Sequence, residues 1–135
     1  MLYQKHGVLS IWVGEFESAA DLEEYITFVY DENDESSSPF AEDSGLFWFD
    51  HDLQEAVWFE RPLLQMPDIL NPFSWSGSYK DAVWAALQEV DFARPNSVFI
   101  LFETAYDPER AVPEPDTKLV FIGVFPYDSG KVNIE

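Results

Sequence analysis

Two runs decide the fold: Ser97–Thr104 (SVFILFET) and residues 119–125 (LVFIGVF). Both are almost continuously apolar and rich in β-branched and aromatic residues, the composition of strands covered on both faces. They are neighbours in sequence, joined by a proline-rich link at 108–115. That spacing predicts an antiparallel, hairpin-like pair at the centre of a sheet. Phe99, Leu101, Val120 and Ile122 are then the expected core, where truncation to Ala costs about 2–5 kcal/mol.

Working outward, residues 8–14 (VLSIWVG) read as a first, central strand. Ser18 stands three residues before Asp21, the spacing of an N-cap with an acid at N3. Leu22, Tyr25, Ile26 and Val29 follow at helical spacing and predict an amphipathic helix over about 18–30. Residues 31–38 (DENDESSS) hold no apolar side chain and read as an exposed loop. Ser38-Pro39 starts a short helix at 39–44, and Gly45 stops it. Residues 55–60 read as a strand, with a helix over 50–58 the competing reading. Residues 61–72 contain three prolines and form a wandering connection. A second long helix over about 78–91, capped by Ser76 or Ser78, buries Tyr79, Val83, Ala86, Leu87 and Val90. The order is β-α-α-β-α-β-β in a single domain over 1–135. The class is α+β or α/β, a mixed and mostly antiparallel sheet with two long helices packed on it.

Charge is distributed unevenly. The chain has 26 Asp and Glu against 7 Lys and Arg, a net of −19. Residues 15–60 hold 15 of those acids and no Lys or Arg, leaving 11 acids and 7 bases elsewhere, a net of only −4. Such a field repels nucleic acid and anionic membrane, and it speeds encounter with a basic partner. The bland alternative is a charge that only keeps the protein from associating. The candidate partner-binding residues are Asp31, Glu32, Asp34, Glu35, Asp43, Asp50, Asp52 and Glu55. The Asp31–Glu35 acids sit where their mutual repulsion stabilises nothing, so their removal is expected to leave folding intact.

Other chemistry finds little support. The absence of cysteine excludes disulfides and thiol catalysis. The two histidines, His6 and His51, accompany no nucleophile elbow, and no phosphate-binding glycine loop occurs. Asp31, Asn33, Glu35 and Glu42 fall in an EF-hand register that fails at Ser36, where glycine is needed. Asp50, His51, Asp52 and Glu55 could form a hard-metal or acid–base cluster, and solvated turn acids are the alternative. No metal and no cofactor are expected. No leader peptide or apolar span of membrane length is seen, so the expected location is the cytoplasm. Twelve Phe, six Tyr and five Trp exceed ordinary core needs, and some are candidate interface anchors.

Several segments carry a resemblance. Residues 10–16 (SIWVGEF), the helical Leu22-Glu23-Glu24-Tyr25, residues 38–49 (SPFAEDSGLFWF), Asp50-His51-Asp52-Leu53, Glu55-Ala56 and Phe73-Ser74-Trp75-Ser76 together resemble the bacterial immunity protein 22 family. The resemblance spans nearly the whole chain. The acidic loop at 31–38 and the proline-rich 61–72 are individual to this sequence. The resemblance implies a protein of a polymorphic toxin system that binds and neutralises a cognate toxin, often a nuclease with a basic cleft. It brings no catalytic residues. An acidic surface that mimics nucleic acid suits such a cleft. Two other classes compete: an enzyme built on Asp50–Glu55, and a structural or adaptor domain without a toxin partner.

Overall fold

The computed structural model describes residues 4–30, 36–46, 53–60, 73, 76–89, 95–111, 113 and 117–127. The elements are β1 (Gln4–Gly14), α1 (Ala19–Ile26), β2 (Val29–Tyr30), β3 (Ser36–Ser37), α2 (Pro39–Ser44), β4 (Gln54–Trp58), α3 (Lys80–Leu87), β5 (Ser97–Thr104), α4 (Pro108–Ala111) and β6 (Leu119–Pro126). A 3-10 turn at Ser76–Ser78 leads into α3. The fold is α+β, with helices on both faces of an antiparallel sheet of order β4-β5-β1-β6.

Local chemistry sets the helix ends. The Ser18 hydroxyl accepts from Asp21 N at 3.1 Å, and the Ser38 hydroxyl accepts from Ala41 N at 3.0 Å. Each satisfies an amide that the helix leaves without a partner. Gly45 closes α2 at φ 76°, and a Cβ there would collide with the Ala111 carbonyl, so both backbone and space demand glycine. At the other end of the core a Cβ on Gly14 would strike the Lys118 carbonyl, which lets β1 and β6 close together.

Alternation along the strands divides the interior in two. Leu9, Ile11 and Val13 of β1 join Val98, Ile100 and Phe102 of β5 beneath Tyr79 and, from α3, Val83 and Leu87. Trp12 joins Phe99 and Leu101 on the opposite face, covered by Leu22, Tyr25 and Ile26 of α1, by Phe40 of α2 and by Leu46 and Tyr106. Trp12 is the hub of that second face. Its ring lies 5.1 Å from those of Phe40 and Tyr106, 5.2 Å from Phe121 and 5.7 Å from Phe99. Buried Ser10 is fully used, donating to Thr104 O at 2.8 Å and accepting from Tyr106 N at 2.9 Å.

Several expectations need correction. β5 and β6 are not a hairpin: β1 lies between them and is antiparallel to both, so the link from β5 to β6 is a crossover that carries α4. β6 is therefore an edge strand, with Val120 at 37% and Val124 at 38% exposure. Phe99 and Leu101 are fully buried, Ile122 only half-buried, and Val120 is not core. The helices are shorter than their periodicity suggests. α1 stops at Ile26, where the Thr27 hydroxyl and amide both turn back to Glu23 O, and Val29 belongs to β2 at 67% exposure. α3 starts at Lys80, and its N-cap position is held by Tyr79, without a side-chain cap bond, and not by Ser76 or Ser78. Val90, the connection at 61–72 and the loop acids lie outside the described residues.

Candidate functional site

Ser97 organises the site. It pairs with Gly14 on one side and with Trp58 on the other. Whatever follows Gly14 and Trp58 in the chain must therefore emerge at the same end of the sheet. Glu15, Phe16 and Glu17 come from the first, Glu60 from the second, and Asn96 sits between them. Together with Trp58 these residues line a cleft of about 560 Å³.

The cleft floor is fixed by hydrogen bonds. The Asn96 side chain clasps the Phe16 backbone, Nδ2 donating to Phe16 O at 2.8 Å and Oδ1 accepting from Phe16 N at 3.0 Å. Both amide ends match their partners, so the side chain has one orientation. The Ser97 hydroxyl also donates to Asn96 Oδ1 at 3.0 Å. The Asn96 backbone donates to Gly14 O and accepts from Phe59 N, each at 2.8 Å. The Trp58 indole donates to Phe16 O at 2.8 Å, which turns its ring toward the cleft wall. The Lys118 ammonium lies 5.8 Å from the centre of the Phe16 ring, within cation–π range. Glu15, Glu17 and Glu60 are exposed at the rim.

Two of the eight candidate binding acids are described. Asp43 is half-buried and ties two helices: the Tyr25 hydroxyl donates to its Oδ2 at 2.5 Å. Burial, and then the Asp43 carboxylate, push the Tyr25 phenol above its ordinary range, so it stays a donor. Glu55 lies half-buried on β4, on the α3 side, where burial first and its own charge second raise the Tyr79 phenol. The structure does not bring Asp43 and Glu55 together: they lie on opposite faces of the sheet. Asp31, Glu32, Asp34, Glu35, Asp50 and Asp52 lie outside the described residues, as do Asn33 and His51. Among the described residues no group of three or more His, Asp or Glu is placed to hold a metal, and no helix is long and apolar enough to cross a membrane. Among the described residues the exposed large hydrophobics are all valines, and rings such as those of Trp58 and Trp84 are half-buried.

Glu15, Glu17 and Glu60 escaped the sequence reading. They stand at the two ends of the acid run, the only sequence signal they give. That the ends meet depends on the pairing of Ser97.

Another feature gives no sequence signal at all. Glu103 holds φ 56° although it is not glycine, where the β1–β5 register shifts. Its carboxylate accepts from Gly7 N at 2.6 Å and faces His6 Nδ1 at 2.8 Å. Burial raises the Glu103 carboxyl, but Gly7, Tyr127 and His6 together outweigh burial and hold it below its usual range.

The cleft is thus rimmed by three carboxylates and walled by the rings of Phe16 and Trp58, on a domain of α+β class. The chain belongs to the immunity protein 22 family, whose description, Immunity protein 22, matches residues 9–128. That membership carries the coarse role its description names, immunity against a toxin. No curated protein and no solved structure matches the chain.

Proposed function

We propose that the protein neutralises its toxin by occupying a basic surface, that of a nuclease-type toxin domain in the cytoplasm of the producing cell. One observation carries this reading: the acid run begins and ends at the same cleft, so Glu15, Glu17 and Glu60 share a single mouth. The remaining candidates, Asp31, Glu32, Asp34, Glu35, Asp43, Asp50, Asp52 and Glu55, add to the field that draws the partner in. A guanidinium entering the mouth would meet the Glu15, Glu17 and Glu60 carboxylates and the face of Trp58, a favourable pairing for arginine. No metal, cofactor or bond-breaking step is required. The field governs encounter, and contacts at the mouth govern release.

The test is the association rate with the cognate toxin domain. Raising salt from low to physiological should slow association several-fold and leave dissociation nearly unchanged. Replacing Glu15, Glu17 and Glu60 together by Gln should weaken binding by about tenfold. Association that ignores salt would overturn the reading.

A further inference from the structure

We infer that the outer edge of β6 is a second contact surface, and that it receives an extended strand of the toxin partner through backbone hydrogen bonds. This rests on the reading of the protein as a toxin inhibitor. The ladder supplies the argument. The amide of Tyr127 donates to Gly7 O at 3.0 Å, and Phe125 pairs with Leu9 in the same register. Antiparallel pairs alternate between bonded and non-bonded, so Val124 and Pro126 turn their backbone groups away from β1. Pro126 agrees with this phase, because proline is tolerated on an edge where its missing N–H would point outward. The outward carbonyl of Leu119 is taken by the Thr117 hydroxyl at 2.8 Å, whereas no hydrogen bond within the described residues uses the outward groups of Val124 and Pro126. The Val124 side chain beside them is exposed.

The edge also differs in charge from the rest of the molecule. β6 has no ionisable residue in a chain of net −19. A partner strand can approach it without desolvating a carboxylate, while the field of the acid run still attracts a basic partner.

A second copy of this chain fits less well. It brings the same net charge. The register of β6 also shifts between Ile11 and Trp12, which interrupts the edge midway. Two copies would oppose two such interruptions, whereas a regular partner strand meets one. Lys118 and Pro126 at the ends of β6 are further devices against self-pairing.

The experiment compares Val124→Pro, which removes the outward N–H and leaves the bonds to β1, with Val124→Ala, which keeps it. Binding to the cognate toxin domain is measured at low and at physiological salt. Val124→Pro should weaken binding by about tenfold or more through faster dissociation, by the same factor at both salts. Val124→Ala should stay within about threefold of the parent. Amide exchange on the unmodified protein covers the case in which the proline variant does not fold. The Val124 amide should exchange at least about tenfold more slowly in the complex. Equal binding by Val124→Pro, or unchanged Val124 exchange, overturns the edge contact and leaves the inhibitor reading standing. A chain that self-associates and protects Val124 without toxin overturns it in favour of a second copy. An unmodified protein that does not bind the toxin domain overturns both.

Discussion

The two faces of the sheet are made of different material. Beneath α3 the packing is mostly aliphatic, with Leu9, Ile11, Val13, Val83, Leu87, Val98 and Ile100 in contact. Beneath α1 and α2 the packing is a set of interlocked rings around Trp12. The ring face also has polar handles. The Tyr106 hydroxyl donates to Ser44 O, that of Tyr25 to Asp43, and the Trp58 indole to Phe16 O. All three handles end on the acid run. The difference teaches how a repelling segment is kept in place. Fifteen carboxylates push apart, and the rings beneath them combine large buried area with hydrogen bonds that pin the backbone carrying those carboxylates.

The largest test of that contrast is a pair of truncations. Trp12→Ala should cost about 3–5 kcal/mol, because four neighbouring rings cannot collapse into the space. Leu87→Ala on the other face should fall near the lower end of about 2–5 kcal/mol, since flexible aliphatic neighbours relax more easily. Urea unfolding of both variants reads the difference. A Leu87→Ala loss equal to that of Trp12→Ala would show that the two faces are mechanically alike.

A smaller effect isolates the handles from the rings. Tyr106→Phe keeps the ring and removes a buried 2.5 Å bond to the end of α2. The loss should be about 1–2 kcal/mol, the cost of a carbonyl left without its donor. Thermal melting compared with the parent would check it, and a variant as stable as the parent would mean that packing alone holds α2.

How much of this was legible depends on how local the cause is. Ser38, Pro39 and Gly45 fixed α2 to the residue, because caps act within one turn. The bounds of β5 were legible too, because eight consecutive residues are at home in a buried strand. The place of β6 was not. Its apolar run resembles that of β5, and only the insertion of β1 between them makes one strand central and the other an edge. The cleft was hidden for the same reason, since Glu15 and Glu60 meet only through Ser97. Asp43 was legible as an acid but not as the acceptor for Tyr25, a partner 18 residues away.

The last and smallest prediction concerns the polar tie of the aliphatic face. Tyr127 packs against that face and bonds Glu103, whose carboxylate also accepts from Gly7 N. Burial first, and Glu103 second, push the Tyr127 phenol up to about 12, so it remains a donor throughout the physiological range. The sensitive partner is Glu103. Its carboxyl is held below the ordinary 4.5, so the folded state favours the charged form. Its contribution is therefore fully present above the unfolded pKa and is lost as pH falls through the lowered folded value. His6 is 95% exposed and adds little to that contribution. Glu103→Gln should cost about 1 kcal/mol or less at neutral pH. The gap between parent and variant should close as the medium is acidified below the ordinary carboxylate range. The Tyr106 tie has no ionising acceptor, so the Tyr106→Phe gap should not close in the same way. Unfolding curves of the three proteins at several acid pH values would show it. A Glu103→Gln gap that is constant with pH would mean that the hydrogen-bonding pattern of the side chain, and not its charge, is what the sheet requires there.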